Sequence, residues 1–269
     1  MKSVEYGNKD GRLVVYFHGV PGAIAECALF ESYAKQHNLN IICFDRFNIG
    51  PTVSREDYYQ KIVTAIKSKA SDGKVDVIGF SIGAYVALEV CARLNEQLGL
   101  LHLVSAAAPI DSEGLLDAMA GGAVFKLAKH RPFLFYCLSY FQKALALLAP
   151  ALLFKILFSS AAGEDKALSE QGEFKRFMIP LLKHSFREGI KGYCCDIRLY
   201  SSWEGELGQL NAKVSIWHGS QDNWSPFAMA TTLNAMLAGA EGVKVMEGLS
   251  HYSCLFEAAP KICAQLGPP

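Results

Sequence analysis

Ser81 stands between two glycines in the pentapeptide Gly79-Phe80-Ser81-Ile82-Gly83, after the apolar run Val75-Asp76-Val77-Ile78 and before a helix-forming stretch from Ala84 to Leu94. Small residues on both sides let a strand and a helix meet in a tight turn, which lifts the serine clear of its neighbours. The helix start then directs unpaired N–H groups at whatever lies over it. That is the setting of a nucleophile. A serine hydroxyl is weak at neutral pH, so it needs a base, and the base needs an orienting acid. Asp222, in Trp217-His218-Gly219-Ser220-Gln221-Asp222, and His251, in Gly248-Leu249-Ser250-His251, each follow a strand-like run. The chain order Ser, Asp, His is the one expected for such a serine on an α/β sheet. Asp111, beyond the strand ending at Val104, is a second candidate for the acid.

The other histidines have plainer readings. His37, His130 and His184 fall in helices or at their ends, His102 lies inside a strand as a core residue, and His218 should brace the turn that carries Asp222. His251 is expected in a loop after the last strand, and Asp196 is expected to be structural. A tetrahedral oxyanion needs two preorganised donors. One should be the N–H of Ile82, directly after the serine, and the other the N–H of Val20 in the turn His18-Gly19-Val20-Pro21-Gly22, with the His18 imidazole pinning that turn. The chemistry requires no metal and no organic cofactor.

The 269 residues must place these groups. Lys+Arg and Asp+Glu balance at 26 each, so no global field recruits nucleic acid. The eight cysteines contain no CxxC pair and read as small buried hydrophobes in a reducing, cytoplasmic setting. The polar start has no signal-peptide pattern. Residues 132–158 are very apolar, but Lys143 near the middle would cost about 2.5–3.5 kcal/mol at the centre of a membrane span. Pro150 and Lys155 also argue against a transmembrane helix. Transient contact with a membrane surface is the less favoured reading of this stretch and its flanks Lys126, Lys129 and Arg131, since a buried helix would show the same pattern.

Strand-like runs at Leu13–Phe17, Asn40–Phe44, Leu100–Val104, Val214–Trp217 and Val243–Met246 alternate with helical patterns, the longest at Glu56–Lys69. A shorter strand is possible near Val4-Glu5-Tyr6. The alternation predicts an α/β fold with a mostly parallel, doubly wound sheet. It stops between Asp111 and about Gly208, where nearly a hundred residues read as helix. That is too long for a loop, so the sequence divides into a core of residues 1–110 and 209–269 and a helical cap of residues 111–208 roofing the site.

HGVPG, the segment Asp45-Arg46-Phe47-Asn48-Ile49-Gly50, GFSIGA, Phe186-Arg187-Glu188-Gly189-Ile190-Lys191-Gly192 running to Asp196, WHGSQD and GLSH, in this order over nearly the whole chain, resemble the α/β-hydrolase fold superfamily. The likeness is nearest to bacterial serine hydrolases and esterases with an HGxPG turn and a helical cap. It implies a triad of Ser81, Asp222 and His251, with Val20 and Ile82 as oxyanion donors. Two departures stand out: Asp45-Arg46-Phe47-Asn48 replaces a DRPG-type turn, expected to reshape the pocket mouth, and the N-terminal hairpin of relatives is cut short before Leu13, which leaves the sheet edge open.

A serine at position 81 sets the chain apart from similar epoxide hydrolases and haloalkane dehalogenases, which the resemblance gives a carboxylate there. The leading expectation is hydrolysis of a carboxylic ester of small to medium apolar character, with Phe125, Phe133, Leu134, Phe135, Phe141, Leu147, Leu148 and Phe154 supplying an oily cap, about a third of them reaching the ligand. The alternatives are thioester, amide or carbon–carbon hydrolysis by the same residues, or a ligand-binding, receptor-like relative with little turnover. Oligomeric state is not legible.

Overall fold

The computed structural model describes residues 1–49, 54–70, 73–110, 114–205, 207, 210 and 212–267. Seven strands, β1 (Ser3–Gly7), β2 (Arg12–Phe17), β3 (Leu39–Phe44), β4 (Val75–Phe80), β5 (Leu98–Val104), β6 (Val214–Gly219) and β7 (Ala240–Met246), form one sheet in the order β1-β3-β2-β4-β5-β6-β7. Every neighbouring pair is parallel except β1 with β3. The open edge is therefore closed by the short strand near Val4, which pairs antiparallel with β3, Ser3 opposite Phe44. β3, β4 and β6 are buried at every position, as a sheet covered on both faces requires. β7 starts three residues before the expected Val243, because Gly242 takes φ 91° at a shift in pairing register and looks like a turn in the sequence.

Helices α1 (Glu31–Gln36), α2 (Arg55–Ala70) and α3 (Ile82–Leu94) belong to the first half of the sheet. Between β5 and β6 run α4 (Leu115–Ala118), α5 (Gly122–His130), α6 (Pro132–Leu148), α7 (Pro150–Leu157), α8 (Asp165–Glu170), α9 (Gly172–Arg187) and α10 (Ile190–Ser201), before α11 (Phe227–Met236) and α12 (His251–Leu266) complete the chain. The expected limits of that helical insertion, Asp111 and Gly208, lie outside the described residues. In α2, Tyr59, Ile62, Val63 and Ile66 are buried, so the apolar face read at 3.6-residue spacing is the face that packs on α3. Six of the eight cysteines are buried and all eight are free, in keeping with their reading as small apolar side chains.

Two glycines make the junction of β4 with α3 possible. A side-chain carbon on Gly83 would lie 2.3 Å from the Phe17 carbonyl oxygen and 2.4 Å from that of His18, and one on Gly79 would lie 2.6 Å from Ala84 Cα. Only glycine lets the helix start press against the end of β2.

His102, on β5, is a core residue whose Nδ1 accepts a 3.3 Å hydrogen bond from Trp217 Nε1. Burial, helped by the charges of Lys244 and Arg12, pushes its pKa down to about 3. The unfolded chain takes up this proton near pH 6.5 while the folded one refuses it, so stability is full above that value and declines as the pH falls toward 3. Urea unfolding at pH 7 and pH 5 should show a loss of about 2 kcal/mol from this residue alone. His102→Gln is expected to flatten that slope, and an unchanged slope would refute the assignment.

Candidate active site

The backbone of Ser81 takes φ 56° and ψ −128°, a conformation costly for any residue but glycine. The end of β5 and the residues after it hold it there: Ser81 N–H donates to the Val104 carbonyl at 3.1 Å, and the Ser81 carbonyl accepts from Ala107 N–H at 3.1 Å and Ala84 N–H at 3.0 Å. Although Ser81 occupies the cap position of α3, its side chain makes no capping hydrogen bond. The hydroxyl is thus presented at a helix N-terminus without being used by the helix.

Asp222 follows β6 in a turn that wraps its carboxylate. Oδ1 accepts from the backbone N–H groups of Trp224 and Ser225, both at 2.9 Å, and Oδ2 accepts from His251 Nδ1 at 2.9 Å. Burial opposes its ionisation, but attraction to and hydrogen bonding with His251, reinforced by His218 and Ser225, outweigh it and hold the carboxyl below the usual carboxylate range. His218 Nε2 donates to the Ser225 carbonyl at 2.7 Å and so closes the turn, the bracing expected of it. With Nδ1 of His251 donating to the acid, Nε2 is left with the lone pair.

His251 is not in a loop. It is the first residue of α12, with Ser250 at the cap position and the Ser253 hydroxyl accepting the Ser250 N–H at 2.8 Å. The start of that helix is anchored from the insertion: buried Asp165 of α8 accepts the N–H groups of Tyr252 at 3.0 Å and Ser253 at 2.7 Å, a carboxylate at a helix N-terminus. The imidazole lies 4.8 Å from the ring of Phe80, the residue before Ser81, and Trp224 stacks on it at 5.6 Å with 16° between the planes. Among the described residues no hydrogen bond joins the Ser81 hydroxyl to His251; in the free state of serine enzymes such bonds are commonly long and shorten when substrate is seated.

The turn from His18 to Gly22 is held from three sides. His18 Nδ1 donates to the Gly19 carbonyl at 2.8 Å, buried Glu26 accepts the Gly19 N–H at 3.0 Å and the Tyr16 hydroxyl at 2.6 Å, and Arg46 Nη2 donates to the His18 carbonyl at 2.8 Å. Burial and the nearby charge of Arg46 lower the pKa of His18, which keeps the ring neutral and in its bracing role. Burial also raises the pKa of Glu26. Arg46 is itself 1% exposed: its Nε bonds Asp196 of α10 at 2.7 Å, and the Tyr58 hydroxyl donates to the other oxygen of Asp196 at 2.7 Å. One guanidinium thereby ties the insertion to the HGVPG turn. Phe47 packs edge-on against His18 at 4.9 Å and beneath Gly189 and Gly192, so the altered Asp45-to-Asn48 turn seats α10 and does not line the pocket mouth.

Val20, Ser81 and Ile82 line one cavity between sheet and insertion, closed from above by Met119, Phe125, Leu157 and Phe186. Its volume is about 70 Å³, well under the roughly 300–1,000 Å³ of ligand pockets. Of the eight apolar residues expected to form the oily roof, only Phe125 lines it. Phe135 and Phe154 are buried between helices, and Phe133, Leu134, Phe141, Leu147 and Leu148 are exposed. An apolar helix whose two faces are both apolar gives no sign of which one turns inward. Asp111, the alternative acid, lies outside the described residues. His37, His130 and His184 lie at the end of α1, at the end of α5 and within α9.

A family model described as the alpha/beta hydrolase family matches residues 14–266, which is almost the whole chain. The protein belongs to the alpha/beta hydrolase family. A search of curated proteins finds no sequence match. Solved structures similar to this family member include a thermophilic esterase from Thermogutta terrifontis, with 14% identity, a TM-score of 0.70, and 99% of this chain and 94% of that one covered. An enol-lactonase from Burkholderia xenovorans has 14% identity and a TM-score of 0.66 over 98% of this chain and 95% of its own. A bromoperoxidase from Bacillus anthracis has 15% identity and a TM-score of 0.64 over 98% and 93%. At these identities the likeness of this alpha/beta hydrolase to them is one of fold.

Proposed function

We propose that this alpha/beta hydrolase cleaves carboxylic esters of small to medium apolar character, with Ser81 as nucleophile, His251 as base and Asp222 as its orienting acid. The observation that carries the reading is the 2.9 Å bond from His251 to an otherwise saturated Asp222 carboxylate, next to a strained serine whose hydroxyl no cap consumes. His251 Nε2 takes the Ser81 proton as Oγ attacks the ester carbonyl. The oxyanion is held by the N–H groups of Val20 and Ile82, and the alcohol leaves with the proton returned from His251. Water, deprotonated by the same nitrogen, then hydrolyses the acyl-enzyme. The acyl group lies among Met119, Phe125, Leu157 and Phe186, which favours apolar substrates.

The helices between β5 and β6 act here as a cap. Because the cavity is narrow, admitting an acyl chain of more than a few atoms requires them to part. Labelling with a fluorophosphonate tests the chemistry directly: the protein should be modified once, at Ser81, and a series of p-nitrophenyl esters should show one preferred, short acyl length. A protein that stays unlabelled under conditions that label an ordinary esterase would favour a ligand-binding role and sink this reading.

A further inference from the structure

The outer surface of the insertion is unlike the rest of the protein. Among the described residues, nine of the twelve exposed large apolar side chains lie on α6 and α7, Phe133 at 77% exposure and Leu148 at 86% being the extremes. On α6, residues 135, 139, 142 and 146 turn inward at helical spacing, while Phe133, Tyr140, Phe141, Leu147 and Leu148 form a second apolar stripe on the opposite side. α7, packed against α6, continues it with Leu152 and Ile156. Exposed apolar area concentrated in this way marks a surface that something covers.

Charge identifies the occupant. No Asp or Glu occurs between Asp117 and Glu164, yet that span carries Lys126, Lys129, Arg131, Lys143 and Lys155, in a chain whose acids and bases balance over its whole length. Lys126 is paired with Asp117, but Arg131, Lys143 and Lys155 have no carboxylate partner among the described residues. Beside the stripe opens a cleft of about 560 Å³ lined by Lys129, Lys191, Arg198, Tyr136, Tyr140 and Ser202, with no carboxylate among its described lining residues. Tyr140 belongs to both features, and in the cleft Arg198 Nη1 donates to the Tyr136 hydroxyl at 3.1 Å.

We propose that this face docks on an anionic lipid membrane, with the α6–α7 stripe entering the interface and the Lys129–Lys191–Arg198 cleft seating the phosphate of an acidic headgroup. Aromatic and aliphatic side chains beside Arg131, Lys143 and Lys155, which have no carboxylate partner among the described residues, are what an interfacial helix needs to bind acidic lipid. A second copy of the chain would set like charges against each other, which disfavours it as the occupant. No helix among the described residues is long and apolar enough to cross a membrane, so the contact is peripheral. The same helices line the cavity over Ser81 through Gln142 and Leu157, which sets that surface one helix away from the site. Docking goes beyond the proposed hydrolysis and needs none of it.

Co-sedimentation with phosphatidylcholine vesicles containing phosphatidylglycerol tests it, in parallel with pure phosphatidylcholine. The wild type and Ser81→Ala should pellet equally with the acidic vesicles at low ionic strength, so a failure of the hydrolase reading leaves this result untouched. Binding should fall by about tenfold at high salt, and similarly in Phe141→Asp/Leu148→Asp and in Lys191→Glu/Arg198→Glu. Circular dichroism of the variants confirms that the fold is kept. Wild-type protein that stays in solution at low salt overturns the proposal. So does equal binding to neutral vesicles, or a dimer broken by the apolar pair of substitutions while vesicle binding persists.

Discussion

Ser81→Ala should abolish fluorophosphonate labelling and reduce ester turnover by about 10⁴-fold or more, with little change in the urea midpoint. The stability half of this expectation follows from geometry. The Ser81 side chain caps nothing, and the backbone bonds that fix its unusual conformation come from Val104, Ala84 and Ala107, all of which alanine retains. Asp222→Asn should cost nearly as much activity by a different route. An amide in place of Oδ2 can donate to His251 Nδ1, which turns the proton to Nε2 and removes the lone pair that would accept from serine. The two variants differ in one respect: Asp222→Asn keeps the nucleophile and should still label, slowly. Labelling unaffected by both changes would place the reactive group elsewhere in the protein.

Arg46→Met is expected to destabilise the protein by roughly 3–5 kcal/mol, the cost of leaving a buried carboxylate without its cation. Asp196 would retain only the Tyr58 hydroxyl, and the His18 carbonyl would lose its side-chain donor. Removing the acid as well, in Arg46→Met/Asp196→Leu, should restore much of the stability, because the pair and not either residue is what the interior tolerates. Activity should stay low in the double variant, since the His18 carbonyl then lacks its Arg46 donor and the insertion is no longer tied to the turn that carries Val20. Urea unfolding and p-nitrophenyl ester turnover, measured together, separate these contributions. A single-variant loss below about 1 kcal/mol would show that the pair is dispensable.

The residues of the candidate site are legible in the sequence because each sits in a short local motif. GFSIG writes its own turn, HGVPG follows a strand, and the Asp222 turn closes on itself through backbone N–H groups two and three residues away. What escaped reading depends on contacts made far along the chain. Arg46 meets a partner 150 residues away, and Asp165 bonds N–H groups 87 and 88 residues on. No periodicity signals either. His251 reads as a loop residue because Ser250 caps α12 with a serine at the third helical position in place of the glutamate or glutamine that makes a capping box recognisable. The apolar helices read as roof for a similar reason, since hydropathy gives the number of oily faces and only packing tells which one is hidden.

Trp224 lies nearly flat on the ring of His251, and its backbone N–H helps to hold Asp222. Any positive charge arriving on that ring meets the electron-rich face of an indole. On the proposed mechanism His251 gains and loses that charge, so the emission of Trp224 is expected to report it without a dye being attached.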